Sequence, residues 1–158
     1  MGRLDRAYAR ITSEGCQNFF NNTASSALAS GAIQYDPSKP MTLHGVLRTT
    51  TLNKYSMTLT AADVGLNKSY WSDIQGTFAN KGGAAVTRRY DARVFLGDKA
   101  FHEASSILGG LGLDTSSDLP GIITHEFFHR IGLKHANFPK QSDIQRNCGT
   151  PGLVMGSN

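Results

Sequence analysis

The eleven-residue stretch HEFFHRIGLKH, from His125 to His135, has the pattern H-E-x-x-H-x-x-G-x-x-H. On a helix, residues four apart lie on the same face, so the imidazoles of His125 and His129 would stand side by side. Two imidazoles at this spacing can bind one metal ion. The sequence therefore predicts a metal site on a helix in the last third of the chain.

The second half of the stretch supplies a third ligand. Gly132 takes a left-handed conformation at little cost, so the helix can end there and the chain can turn back. His135 would then face the same metal ion. Three neutral imidazoles with one open position form the ligand set of a catalytic zinc ion. Glu126, which follows the first ligand directly, is the candidate general base.

A chance match is the first alternative, because a lone His-Glu pair is usually an ordinary surface feature. The chain contains such a pair at His102-Glu103, but Ser106 stands where the second ligand would have to be. The long motif is more specific, since three of the five His residues fall within its eleven positions. We interpret His44 and His102 as ordinary polar residues.

The extended motif resembles that of the metzincin zinc metalloproteases, which share it together with a downstream Met-turn. Met155, in the segment GLVMG twenty residues past His135, is the candidate for that turn. The resemblance covers about the last forty residues of the chain. Within the metzincins, the short chain and an N-terminal helix with a Cys look most like the metallopeptidase domains of bacterial polymorphic toxins and type VI secretion effectors.

The resemblance implies a role for each residue of the motif. Zn2+ would be held by His125, His129 and His135, and Met155 would pack beneath these ligands without bonding the metal. Glu126 would take a proton from water and deliver it to the leaving amine. The expected activity is that of a zinc-dependent endopeptidase acting on a protein or peptide substrate, with a cognate immunity or inhibitor protein as a further expected partner.

Two other function classes stay open at this point. One is a hydrolase that cuts the stem peptides of peptidoglycan, which the net charge of +4 allows. The other is a non-catalytic metal-binding interaction module. Glu126 favours an enzyme, because a purely structural site has no need of a base beside its ligand.

The expected fold class is α+β, with a metzincin-like architecture of a small mixed twisted sheet, an active-site helix and an N-terminal helix. The active-site helix is predicted over residues 119–131, because residues 114–118 supply cap residues and Pro120 suits a first turn. Apolar spacing predicts an amphipathic helix over residues 3–20 with a weak point at Gly15. A short helix over residues 23–30 should follow a break at Asn21-Asn22.

Three strands are predicted from composition and alternation. Residues 41–52 and 55–60 are predicted to form a hairpin around a turn at Asn53-Lys54. Residues 84–96 alternate in polarity and predict a third strand. The family resemblance suggests a substrate-facing sheet edge somewhere in residues 84–101, the alternative being an ordinary interior strand. Residues 63–80 are ambiguous, because a helical apolar face is interrupted by Gly65 and Gly76.

Length and composition suit one domain, a zinc metallopeptidase domain over residues 1–158, which we expect to be a piece of a longer chain. The N-terminus has no apolar segment typical of a signal peptide, and no apolar run is long enough to span a membrane. Either the protein stays inside the cell, or its targeting lies elsewhere in a longer chain. We expect the second, with the domain secreted or delivered into a target cell as part of a larger protein. Because the basic residues are scattered, nucleic acid is not an expected partner.

Two cysteines, Cys16 and Cys148, lie near opposite ends of the chain. Two cysteines alone cannot build a Cys-rich zinc site. They are candidates for one disulfide, which an oxidising compartment would favour. Two buried free thiols are the equally acceptable alternative.

Overall fold

The first two helices meet at a serine rather than at the predicted glycine. The computed structural model describes residues 2–81, 84–87, 92–101 and 117–152. Helix α1 spans Arg3–Ile11 and α2 spans Glu14–Ser30. The break lies at Thr12-Ser13, because the Ser13 side chain accepts a hydrogen bond from the Cys16 N–H and caps α2. The predicted helix over residues 3–20 is therefore wrong in its bounds.

The predicted break at Asn21-Asn22 is also wrong, because both residues lie inside α2. The Asn21 side chain is used for a contact between elements. Its Oδ1 accepts the backbone N–H of Leu43 at 2.9 Å, which ties the start of the next helix to α2. Helix α2 ends at Gly31, whose φ of +81° is left-handed.

The predicted hairpin over residues 41–60 is not formed. Helix α3 spans Leu43–Thr49 and strand β1 spans Thr51–Lys54. The Thr42 hydroxyl caps α3 by accepting the N–H of Gly45, and this cap outweighs the strand propensity of the segment. Residues 55–60 form no strand, and the predicted turn at Asn53-Lys54 lies inside β1.

Two helices follow in the segment whose sequence was ambiguous. Helix α4 spans Ala61–Val64 and ends at Gly65, which has a left-handed φ of +68°. Helix α5 spans Lys68–Lys81 and includes Gly76 in its interior. The apolar helical face predicted from this region is confirmed by the burial of Trp71 and Ile74.

The predicted strand over residues 84–96 corresponds to two separate strands in the described part of the chain. Strand β2 spans Ala85–Val86 and strand β3 spans Arg93–Leu96. The two pair antiparallel, while β1 pairs parallel with β3, so the sheet order is β1-β3-β2. A small mixed three-stranded sheet with helices is consistent with the predicted α+β class. Among the described residues, β2 lies at an edge of this sheet.

The predicted active-site helix is confirmed to within one residue as α6, Leu119–Arg130. Asp118 caps it by accepting the Gly121 N–H, and the same carboxylate accepts the backbone N–H of Thr150 at 2.8 Å. A 3₁₀ turn over His135–Asn137 and helix α7, Gln141–Cys148, follow. The start of α6 is therefore tied to the segment after α7.

Strand β3 contributes to two apolar clusters. Its Val94 and Leu96 belong to the main core, with buried side chains of α1, α2, α3, α6 and α7. Its Phe95 belongs to a smaller cluster with Trp71 and Ile74 of α5. The sheet thus lies between the larger group of helices and α5. No helix in the described ranges combines the length and apolar character needed to cross a membrane.

A disulfide joins Cys16 of α2 to Cys148, the last residue of α7. Both residues are fully buried within the main core. The bond closes a loop across 132 positions of the chain. Because α7 also packs on α6, the bond holds α2 and α7 together beside the helix that carries two of the predicted metal ligands.

Reduction of this disulfide is expected to lower the free energy of unfolding by about 2–5 kcal/mol, because it releases the constraint on the unfolded chain. Urea unfolding of the oxidised and reduced protein measures the difference, and the Cys16→Ser, Cys148→Ser double variant should match the reduced protein. Intact mass after alkylation gives the control. Two thiols that react with the alkylating agent before any reduction would contradict the bond.

Candidate metal centre

The three predicted ligands come together at the end of α6. His125 and His129 lie one turn apart on α6, and His135 reaches them from the 3₁₀ turn that follows. The Nε2 atom of His135 lies 3.2 Å from Nε2 of His125 and 3.0 Å from Nε2 of His129. Nitrogen atoms from two separate segments therefore converge in one place.

The spacing of these nitrogens suits a metal ion. Zinc–nitrogen bonds of about 2.0–2.1 Å place two imidazole ligands of a tetrahedral site about 3.3 Å apart. The three ligand atoms lie within 4.8 Å of one another. Nitrogen lone pairs this close repel one another unless a proton or a cation lies between them. The three His residues are thus close enough to bind one metal ion.

Gly132 produces the turn that brings in the third ligand. Its φ is +108°, a left-handed conformation that strains residues with a side chain. Its N–H donates to the carbonyl of His129, and the Leu133 N–H donates to the carbonyl of Phe128. These two bonds end α6 and reverse the chain, which confirms the predicted role of Gly132.

A backbone carbonyl orients the second ligand. Nδ1 of His129 lies 2.8 Å from the carbonyl oxygen of Leu133. Because a carbonyl oxygen only accepts, Nδ1 must carry the proton and donate it, which leaves the Nε2 lone pair free for a metal. Such a partner on the second ring nitrogen is the usual support for a metal-binding His.

One aromatic ring contacts all three imidazoles. The ring of Phe138 has its centroid 4.5 Å from that of His125, 4.8 Å from His129 and 5.3 Å from His135. Phe138 also meets the fully buried ring of Phe128 edge-on at 5.7 Å. The ligand cluster therefore rests on an apolar side chain that is continuous with the main core.

Glu126 lies beside the ligands and is buried, with only 6% of its surface exposed. Its Oε2 is 3.9 Å from Nε2 of His125. Burial raises the pKa of Glu126 to about 8, and a hydrogen bond from the backbone N–H of Thr87 opposes part of that rise. The pKa would fall beside a bound cation, because a nearby positive charge favours the carboxylate.

His125 is held neutral by its surroundings. Burial lowers its pKa to about 4, with further lowering from the neighbouring His129 and His135. Its contact with Glu126 is therefore not an ion pair at neutral pH. A neutral imidazole is the form that binds a metal ion, so His125 needs to lose no proton before it does so.

The ligands and Glu126 face a cleft of about 360 Å³. Residues 85–87, at the β2 edge of the sheet, form one side of it, and α5 contributes Asp73, Ile74 and Thr77. Thr87 is anchored there, because its hydroxyl donates to the carbonyl of Arg93 at 2.7 Å. The predicted sheet edge within residues 84–101 thus borders the cleft.

The structure brings together the predicted base and all three predicted ligands. His44 lies exposed on α3. Met155 and His102 lie outside the described residues. Three contributors were missed by the sequence reasoning, namely Phe138, the N–H of Thr87 and the carbonyl of Leu133. Of these, only Phe138 could have been noticed in the sequence, as an aromatic residue three positions after His135.

Comparisons with protein-family models, with curated proteins and with solved structures gave no match.

Proposed function

We propose that this protein is a zinc-dependent endopeptidase. The observation that carries the proposal is the convergence of three imidazole nitrogens beside a buried carboxyl group in one open cleft. A site built only to hold a metal needs ligands, whereas this one also has Glu126 within 3.9 Å of a ligand atom. That combination favours an enzyme over a non-catalytic metal-binding module.

The donor set supports zinc as the metal. Three neutral nitrogen ligands with an open fourth position are typical of catalytic zinc. When bound, zinc activates water as a nucleophile and polarises a carbonyl group as a Lewis acid. His125 and His129 would hold it from the helix and His135 from the turn, with the Leu133 carbonyl keeping the His129 ring in the required tautomer.

Glu126 would carry the proton transfers of the reaction. It accepts a proton from the attacking water as the new bond from oxygen to the scissile carbonyl carbon forms. It then delivers that proton to the amide nitrogen as the carbon–nitrogen bond breaks. The Thr87 N–H holds one side of the carboxyl group, so the proton is exchanged from a fixed position.

The β2 edge is the proposed docking strand for the substrate. Backbone groups of residues 85–87 lie along the same cleft as Glu126 and the three ligands. An extended peptide that pairs with this edge would pass in front of the ligands. Ile74 and Val86 give that cleft apolar surface, and Asp73 adds a carboxyl group at its side.

The extended motif, the sheet with its active-site helix and the position of the ligands support placement among the metzincins. We further propose that the chain is the metallopeptidase domain of a bacterial toxin or effector, secreted or delivered as part of a larger protein and countered by an immunity or inhibitor protein. Met155 remains the proposed Met-turn residue. This placement rests on the resemblance of residues 125–135 and of the segment GLVMG to the metzincin motifs.

Zinc removal should abolish hydrolysis reversibly. The purified protein is expected to contain about one zinc ion per chain and to cleave casein or a mixed peptide library, because an open three-nitrogen site binds zinc and activates water. Dialysis against a chelator should stop cleavage, and stoichiometric zinc should restore it. Elemental analysis and mass spectrometry of the products provide the measurements.

Purified peptidoglycan serves as the parallel substrate, and release of stem-peptide fragments without casein cleavage would favour the cell-wall hydrolase. The folded state of the dialysed protein is checked by circular dichroism. Folded protein that takes up no zinc, or cleavage that continues after complete zinc removal, would contradict the proposal.

A further inference from the structure

We propose that Phe138 is a positioning residue whose ring holds the three metal-binding imidazoles in place from the side away from the cleft. The inference rests on the proposed function and names the residue that sets the geometry of its metal site. Phe138 lies outside the H-E-x-x-H-x-x-G-x-x-H motif, and its role comes from its contacts. No other ring in the described residues contacts His125, His129 and His135 together.

Phe138 lies on the side of the cluster that faces away from the cleft. The three imidazoles and Glu126 line the cleft beside β2, whereas Phe138 lines a separate groove against α2. The imidazoles thus separate the Phe138 ring from the cleft in which a substrate would bind. A residue in this position supports the ligands and leaves the open metal position free.

The support is rigid because it continues into the core. Phe138 packs edge-on against Phe128, and Phe128 stacks on Phe20 of α2 with centroids 4.5 Å apart and planes 13° apart. Phe20 and Phe128 are both fully buried. Close-packed aromatic side chains have few alternative positions, so the surface beneath the imidazoles is fixed by the fold.

His125 and His135 depend on packing against Phe138 more than His129 does. His129 is oriented by the Leu133 carbonyl, but no such partner is present on Nδ1 of His125 or His135 among the residues described here. Imidazole orientation in metal sites is usually set by a partner on the second nitrogen. For His125 and His135, contact with the Phe138 ring sets the orientation of the imidazole instead.

Phe138 also fixes the backbone that carries His135. Its N–H donates to the carbonyl of His135 at 3.1 Å, which closes the 3₁₀ turn over His135–Asn137. His135 is exposed, so this turn and the ring contact are what limit its motion. The same residue thus restrains both the main chain and the side chain of the third ligand.

The test is metal affinity and Co2+ absorption of the full chain with Phe138 altered. Phe138→Ala is expected to weaken zinc binding about 10- to 100-fold, the usual cost of removing a supporting contact. Its Co2+ derivative should show shifted and weakened visible bands, because the ligand geometry is less regular. Phe138→Leu, which keeps apolar volume in the core, is expected to recover part of the affinity.

Phe19→Ala is the matched control. Phe19 is half-buried like Phe138, meets the same Phe128 ring edge-on and lines the same groove, yet among the described ring contacts it has none with the three imidazoles. It should lower the unfolding temperature by an amount similar to Phe138→Ala while leaving zinc affinity and the Co2+ spectrum unchanged. A loss of affinity that merely follows loss of stability would appear in both variants.

The outcomes separate the two proposals. If wild type binds zinc tightly and both Phe138 variants match it in affinity and in Co2+ spectrum, the role of Phe138 is overturned while the zinc site stands. If Phe19→Ala weakens zinc binding as much as Phe138→Ala does, the specific role of Phe138 is likewise overturned. If folded wild type binds neither metal, both the metal site and its support are wrong.

Discussion

Glu126→Gln is expected to slow peptide hydrolysis by about 100- to 10,000-fold, the usual contribution of a general base. Glutamine has the size of glutamate and its side-chain oxygen can still accept the Thr87 N–H, but the amide cannot take a proton from water. Zinc content and unfolding temperature should stay close to those of wild type. Initial rates on one defined peptide, with metal analysis of the same sample, measure both effects.

Glu14→Gln is the matched control for this change, because Glu14 is exposed on α2 and the substitution makes the same replacement of a carboxyl group by an amide. Its rate should equal that of wild type. Should Glu126→Gln cleave the peptide as fast as wild type does, the carboxyl group would have no part in the chemistry, and a metal-binding module would become the better interpretation.

His129→Ala is expected to abolish tight zinc binding and, with it, all measurable hydrolysis. His129 is the ligand with both a helical position and a carbonyl partner on Nδ1. Its loss leaves two nitrogens, one of them on an exposed turn, so the fall in affinity should exceed the 10- to 100-fold typical of a supporting residue. Zinc titration against a competing chelator gives the affinity.

His44→Ala provides the comparison, since His44 is exposed on α3 and distant in sequence from the ligands. It should bind one zinc ion as wild type does. Retention of tight zinc by folded His129→Ala would show that the zinc ion is bound elsewhere in the chain.

The candidate site was predictable from sequence because its ligands are local. His125 and His129 are spaced by the helix itself, and Gly132 marks the turn by its backbone freedom. The start of α6 followed from the cap residues at 114–118 and from Pro120 in the first turn. These features each depend on a few neighbouring residues, which is the range over which sequence patterns are informative.

The sheet was predicted poorly because its pairing is not local. β1 pairs with β3, about forty residues further along the chain. The first strand of the expected hairpin is replaced in part by α3, which Thr42 caps. Residues 84–96 alternate in polarity, yet Val86 and Phe95 lie in two antiparallel strands and pair with each other. A period of two residues indicates extended backbone and gives no information about where a strand ends.

The support beneath the ligands could not be predicted for a similar reason. Phe138 is one of eight Phe residues, and an aromatic side chain in a short turn is ordinarily read as core. Its contact with His125 spans thirteen positions and depends on the reversal of the chain at Gly132. The pairing of Cys16 with Cys148 depends in the same way on how α7 returns to α2.

The disulfide has a consequence for how the protein would respond to cleavage of its own chain. Cys16 and Cys148 enclose almost the whole chain, including the ligands, Glu126 and the sheet. A single nick anywhere between them would produce two fragments that stay covalently joined and remain packed around the same core. In an oxidising environment a nicked molecule would therefore stay in one piece, whereas reduction of the disulfide would leave the two fragments held together by packing alone.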